Sequence, residues 1–316
     1  MPEKTHSQGL SQSLEFLRRS RAIVIIGFPD DDFNKLDGTL NPLKYIVANL
    51  QSTGIPVGIA GDLSYGKTEE ITRKFNFQGP SIFEYSGILF PDTGVRFIEK
   101  GLDTFYFDQK LLLGEKYMAF VKDKGSDFRI VRDHQDFVPG NPANFPPGSR
   151  IIQIDDDRQV SCLISTAVVD DLERWQFDPE FSEEVFQLTD NILDEVYQGP
   201  DKRNLFSVIM EQNKAAGSLL LKSPIADNPR NAVLVLLHLL EKTPEIYFIG
   251  SRENHSVDHQ GVVFLSTSDA PENLKSLSNS SCSQYLLKKV APQSGIRGIN
   301  WHLTNILYAH ARGRFQ

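Results

Sequence analysis

Cysteine is nearly absent. Cys162 and Cys282 are the only two in 316 residues. They give no disulfide framework and no metal-type spacing, so a reducing cytoplasm is the expected compartment. A surplus of basic charge is missing too: 33 Lys and Arg stand against 41 Asp and Glu, a formal net charge of -8. Phosphate backbones are held by clustered cations, so no nucleic-acid surface is expected. Long apolar runs are lacking. The longest, 232–240, contains His238 and falls well short of the roughly 20 residues that span a bilayer, so no membrane span is expected. Residues 1–12 are polar, without the apolar stretch of a secretory leader. No internal repeat is present. What remains is ordinary for a soluble globular protein, 40% hydrophobic and 23% charged, and long enough for a main domain plus an inserted one.

The first strong element is Ala22 to Ile26, a β-branched apolar run of the kind that forms a central parallel strand. Leu43, Ile46, Val47 and Leu50 follow at helical spacing. Gly54-Ile55-Pro56 turns into a second core strand, Val57 to Ala60, then a helix over 68–75 and a short strand over 81–85. Alternation of strand and helix predicts an α/β fold with a doubly wound parallel sheet. After about residue 90 the pattern changes. Thr104 to Phe107, Tyr117 to Val121 and Arg129 to Val131 read as short strands, 150–154 and 160–164 as a hairpin, and 181–196 as a long amphipathic helix. This predicts an inserted α+β domain. The parallel pattern returns with a helix over 230–240, strands over 245–249 and 261–265, a helix opening at 270–274 and a closing helix over 296–307; the serine-rich 276–283 reads as a loop. The expected organisation is a core in two parts, 1–90 and 221–316, around an insertion at 91–220.

Several pieces occur in one order: Gly54 to Gly61, Tyr65-Gly66-Lys67, Glu84-Tyr85-Ser86-Gly87, Tyr247-Phe248-Ile249-Gly250, Ala270 to Lys275 and Ser294 to Ile299. The chain resembles the haloacid dehalogenase-like (HAD) phosphatases with a C2-type cap, a group that includes sucrose-phosphate, mannosyl-phosphoglycerate and Cof-type sugar phosphatases. The resemblance covers nearly the whole chain. It implies a Rossmannoid core with the insertion as cap. It also implies chemistry with four parts: a nucleophilic aspartate, a second aspartate two residues on as acid and base, a hydroxyl and a lysine on the phosphoryl group, and acidic residues that hold Mg²⁺, a hard cation that prefers oxygen.

All four motif positions are altered. Gly27-Phe28-Pro29 lies over the family's Asp-x-Asp. Asp30 and Asp32 could supply a displaced pair, Asp37-Gly38-Thr39 matches the family text in a different register, and a solvated acidic turn accounts for the same residues. The hydroxyl position holds Ala60 or Gly61, with Asp62 next to it; backbone amides at Gly61 and Asp62 could still meet a phosphate. The lysine position reads Asn228-Pro229-Arg230, where Arg230 could contact phosphate. The metal loop, which in the family reads Gly-Asp-x-x-Asn-Asp, is Gly250-Ser251-Arg252-Glu253-Asn254-His255. Ser251 and His255 replace the two aspartates; Glu253 and Asp258 are the nearby carboxylates. His255 and His259 are not placed on a helix, so they do not make a zinc pair.

The resemblance with its losses implies a pseudophosphatase that binds a phosphorylated small molecule or a protein partner and needs no cofactor. An active enzyme using Mg²⁺ with Asp30 and Asp32, with Glu253 or Asp258 on the metal, is the alternative. A third reading comes from Gly61 with Gly66-Lys67-Thr68, which satisfies the nucleotide-loop pattern Gly-x-x-x-x-Gly-Lys-Thr between a strand and a helix.

Overall fold

The computed structural model describes residues 2–27, 41–99, 102–124, 128–131, 145–172, 174–197, 209–223, 226, 228–241, 244–281, 286 and 288–312. Contacts divide the chain into two compact units, Met1–Ile98 with Ile225–Gln316, and Glu99–Pro224. The expected limits were 90 and 220.

The first unit is built on a seven-stranded sheet in the order β13-β12-β1-β2-β3-β4-β5. Its strands are β1 (Ala22–Gly27), β2 (Val57–Ala60), β3 (Ser81–Phe83), β4 (Gly87–Phe90), β5 (Val95–Phe97), β12 (Glu245–Gly250) and β13 (Val262–Ser266). From β13 to β3 all pairings are parallel; β4 and β5 add an antiparallel edge. Every residue of β1 is buried, because helices cover both faces. Ala22, Val24 and Ile26 pack with α2 (Asn41–Ser52), α3 (Tyr65–Phe75) and α8 (Gly295–Arg312). Ile23 and Ile25 point the other way, among α1 (Pro2–Arg18), α6 (Arg230–Leu240) and α7 (Glu272–Ser280). This is the doubly wound arrangement that the alternation of elements predicts. The chain winds outward from β1 through β2 and β3, then returns to β12 on the other side. The strand order therefore reverses between β1 and β12, and the ends of those strands, Gly27 and Gly250, lie at the switch point where such sheets bind ligands.

The second unit is a six-stranded mixed sheet. The order β10-β11-β8-β7-β6 comprises Ile209–Asn213, Ser218–Lys222, Ser161–Val169, Arg150–Ile154 and Phe128–Val131, and β9 (Trp175–Gln176) pairs with β8. Two helices, α4 (Leu102–Lys124) and α5 (Pro179–Tyr197), pack on β8, and a buried hydrogen bond joins them, Tyr117 Oη to Thr189 Oγ1 at 2.6 Å. Phe181 and Phe186 are core residues, whereas Phe177 is exposed. Cys162 is fully buried, and burial pushes its thiol up to about 12; Cys282 lies outside the described residues.

Three sequence expectations need correction. Thr104–Phe107 and Tyr117–Val121 are not strands but parts of the single helix α4. Their aromatic and β-branched content suggests strand, yet the buried positions Leu102, Tyr106, Gln109, Lys110, Leu113 and Tyr117 follow helical spacing. Residues 276–280 belong to α7 rather than to a loop. Leu274 anchors that helix in the core, and Ser278 and Ser280 return their hydroxyls to the carbonyls of Leu274 and Leu277. The polar N-terminal segment, for which no element was expected either way, is the helix α1, held by Leu14 and Leu17 in the core and by Arg18, which donates to the carbonyls of Leu239 and Leu240 at the end of α6.

Candidate functional site

Three of the four motif positions, those at Gly27, Ala60 and Gly250, stand on neighbouring strand ends. Gly27 pairs with Ala60, Ile26 with Ile249, and Gly250 with Ser266, so the strand ends form one buried line at the head of the sheet. Beyond β12, Ser251 is half-buried, Arg252, Glu253 and Asn254 are exposed, and Glu253–His255 form one 3₁₀ turn. That turn, closed by His255 N–H donating to the Arg252 carbonyl at 2.9 Å, drives the His255 side chain inward.

His255 is 0% exposed. Its ring lies against Gly27: a Cβ built on Gly27 would stand 2.8 Å from His255 Nδ1, 3.0 Å from its Cγ and 3.1 Å from the Ile249 carbonyl oxygen. A Cβ on Gly250 would meet His255 Cβ and the Phe264 ring, each at 2.9 Å. A side chain is thus excluded at Gly27 by the imidazole and at Gly250 by the His255 Cβ and the Phe264 ring. The ring occupies the space that any side chain at position 27 would need. Burial, with a smaller contribution from the Arg252 charge, lowers its pKa to about 4, so it is neutral at neutral pH. Among the described residues neither ring nitrogen has a hydrogen-bond partner.

Tyr85 completes the surroundings; the sequence placed it in one of the family-like pieces but gave it no role at the site. Its ring meets His255 edge-on, with centroids 6.4 Å apart, and its hydroxyl accepts a 2.8 Å hydrogen bond from Asn254 Nδ2. Glu84 and Tyr85 are consecutive non-glycine residues at φ 48° and 54°, a left-handed conformation that costs of order 1 kcal/mol or more per residue. This turn is tied to the β2 loop by Glu84 N–H to the Leu63 carbonyl and Tyr85 N–H to the Gly61 carbonyl. Tyr85→Phe should remove the link to Asn254 and lower stability by about 1 kcal/mol in chemical denaturation, because the contact is only partly buried.

The remaining sequence candidates are placed as follows. Gly61 donates its N–H to the Ile82 carbonyl at 3.1 Å; Asp62 is half-buried. Pro229 is buried before α6, and Arg230 is exposed as its first residue, with its N–H given to Asn228 Oδ1 at 3.0 Å. Glu253 and Asp258 are exposed, and among the described residues no group of three or more His, Cys, Asp and Glu side chains gathers as a metal cluster would. Pro29, Asp30, Asp32 and Asp37 lie outside the described residues. At the described positions Ser251 offers a neutral hydroxyl and His255 a neutral ring nitrogen, while Gly27 offers no side chain, and this set does not fit Mg²⁺.

The nucleotide-loop text begins its helix early. α3 starts at Tyr65, with Ser64 capping it by accepting from the Lys67 N–H. Thr68 N–H goes to the Ser64 carbonyl, Lys67 Nζ to Glu70, and the Thr68 side chain is fully buried. The amides of Gly61, Lys67 and Thr68, and the lysine, thus serve the protein itself.

On the other side of β12, His302 is buried beneath the end of β13, its Nε2 2.8 Å from the Ser266 carbonyl. The hydroxyls of Ser266 and Thr267 are buried there without hydrogen-bond partners among the described residues.

No protein-family model matches the sequence. No curated protein matches it either. Solved structures do. A hypothetical protein from Geobacillus kaustophilus HTA426 superposes with a TM-score of 0.50 at 11% identity, over 92% of this chain and 100% of that one. A putative HAD/COF-like hydrolase from Plasmodium vivax gives 0.45 at 14% identity, over 93% and 98%. A haloacid dehalogenase-like hydrolase from Bacillus subtilis gives 0.41 at 12%, over 94% and 99%. Likeness at such identities concerns the fold alone. The fold is a doubly wound α/β core with the strand order β13-β12-β1-β2-β3 and an inserted α+β unit, and the Geobacillus kaustophilus structure superposes on it over nearly the whole chain.

Proposed function

We propose that this chain is a pseudophosphatase, a phosphatase-type fold that works by binding and not by hydrolysis. The observation that supports it is the contact between Gly27 and His255. Phosphoryl transfer in this fold would need a carboxylate at the end of β1 and a divalent cation beside it. A neutral, fully buried imidazole fills that volume instead. Of the two kinds of ligand, a phosphorylated small molecule and a protein partner, the second is favoured. Ala60 carries no hydroxyl, and the amides of Gly61 and Lys67 are already bonded within the protein, so little is left at the strand ends to hold phosphoryl oxygens.

Purified protein incubated with p-nitrophenyl phosphate and a panel of sugar phosphates, with Mg²⁺ or Mn²⁺, should release no phosphate above the rate of a heat-inactivated sample. Metal-dependent hydrolysis that EDTA suppresses and Asp30→Asn abolishes would overturn the proposal in favour of a displaced carboxylate pair.

A further inference from the structure

Helix α4 carries apolar side chains on two faces. One face holds Leu102, Tyr106, Leu113 and Tyr117 and is buried in its own unit. The other presents Phe107, Leu111 and Met118, exposed by 61%, 39% and 59%. At 100° per residue these three fall within about 40° of one another, a continuous apolar stripe across three turns. Single exposed apolar residues need no explanation, but a stripe of three on one helix face does.

The charges beside the stripe are of one sign. Within the length of the stripe Asp108 and Glu115 are exposed on α4, and Asp103 stands about one turn before it. Its lysines over the same length are turned elsewhere: Lys110 is buried and donates to the Arg158 carbonyl, and Lys116 bonds both carboxylate oxygens of Glu195 on α5. Lys122 lies beyond the end of the stripe. A second copy of the chain would bring the same acidic rim against this one. The complement is an apolar ridge flanked by cations.

We infer that the outer face of α4 docks an amphipathic helix with a basic rim from a partner protein. Three apolar anchors at helical spacing are what helix-on-helix packing uses, and the acidic rim selects the partner's charge and speeds encounter. The inference rests on the binding-protein reading but on a different surface, so a hydrolysis assay and a peptide-binding assay can fail independently.

The probe is a synthetic helical peptide with leucine at i, i+4, i+7 and i+11 and lysine or arginine at the flanking positions. Its control has glutamate in place of every basic residue. By fluorescence anisotropy the full-length protein should bind the basic peptide with roughly micromolar affinity, as expected of a small interface. It should bind the acidic control at least about tenfold more weakly. The double variant Phe107→Gln/Met118→Gln, exposed at both sites and so expected to fold with unchanged circular dichroism, should lose at least tenfold. Asp108→Asn/Glu115→Gln should weaken binding and flatten its salt dependence. No saturable binding, equal binding by the Phe107/Met118 variant, or equal binding of the acidic peptide each overturns the inference. So does a dimer in sedimentation that the Phe107/Met118 variant abolishes, since a second copy would then cover the face.

Discussion

Gly27→Ala should cost about 3 kcal/mol of folding stability, the upper part of the range for overpacking a dense interior. The added methyl would stand 2.8 Å from His255 Nδ1 and 3.1 Å from the Ile249 carbonyl oxygen. The ring cannot retreat, because it is fully buried and its own Cβ is held against Gly250. The backbone of β1 is extended, so alanine adds no conformational strain, and its lower entropy in the unfolded chain returns only about 0.4–1 kcal/mol. The decisive measurement is a double-mutant cycle in urea. In a His255→Ala background the two imidazole contacts disappear and only the carbonyl contact remains, so Gly27→Ala should then cost less than half as much. An unchanged cost would mean that the ring does not fill the space above Gly27. Gly27→Asp, which places a carboxylate where the resembled family has one, should be tolerated only with His255 truncated.

The same geometry changes how the losses at the motif positions are understood. In the sequence they stand apart, one near residue 27 and one near residue 255. In the fold they form one packing arrangement: a histidine at 255 can turn inward only if 27 carries no side chain, and an aspartate at 27 requires 255 to be absent from that volume. A side chain at 27 would therefore require coupled changes at the end of β1 and in the 251–255 loop.

The sheet was legible because its strands are buried on both faces and so appear as uninterrupted apolar runs; Ala22–Ile26 and Glu245–Ile249 need no other signal. The closing helix and the helix over 230–240 were legible from their spacing. Helix α4 was not. With apolar residues on two faces it has no single stripe to betray the helical period, and its local clusters, such as Phe105-Tyr106-Phe107, imitate a strand. At the site, the sequence placed Gly27, Ala60, Gly250 and His255 together through their motif positions. It could not say that His255 points inward, since side-chain direction in an irregular loop follows from a turn such as Glu253–His255 and leaves no periodicity. The role of Tyr85 was not legible for another reason: it reaches the site from a separate loop, through a conformation that its residue type does not favour.

Stability should fall as the pH is lowered from about 6.5 toward 4, with the loss already clear at pH 5. His255 and His302 both have their pKa lowered from 6.5 to about 4, chiefly by burial. At His255 the Arg252 charge adds to the shift, and at His302 the hydrogen bond to the Ser266 carbonyl opposes it. Above 6.5 both rings are neutral in either state and contribute no slope. Between 6.5 and 4 the unfolded chain takes up protons that the folded chain refuses, so each unit decrease in pH favours unfolding. Below about 4 both states are protonated and the histidine contribution levels off. At about 1.4 kcal/mol per pKa unit, each histidine accounts for at most roughly 3 kcal/mol across the window. His310, lowered in the same direction, steepens the slope. Asp170 and Glu183 have depressed pKa values, and their stabilisation is lost only at the acid end, so the interval from 6.5 to 5 isolates the histidines. Urea midpoints at pH 7.5, 6.5, 5.5 and 5.0 would measure the slope. His255→Gln and His302→Gln should each remove part of it, and the double variant most of it. A wild-type midpoint unchanged between pH 6.5 and 5.0 would show that solvent reaches these imidazoles, and the packing of His255 over Gly27 would be wrong.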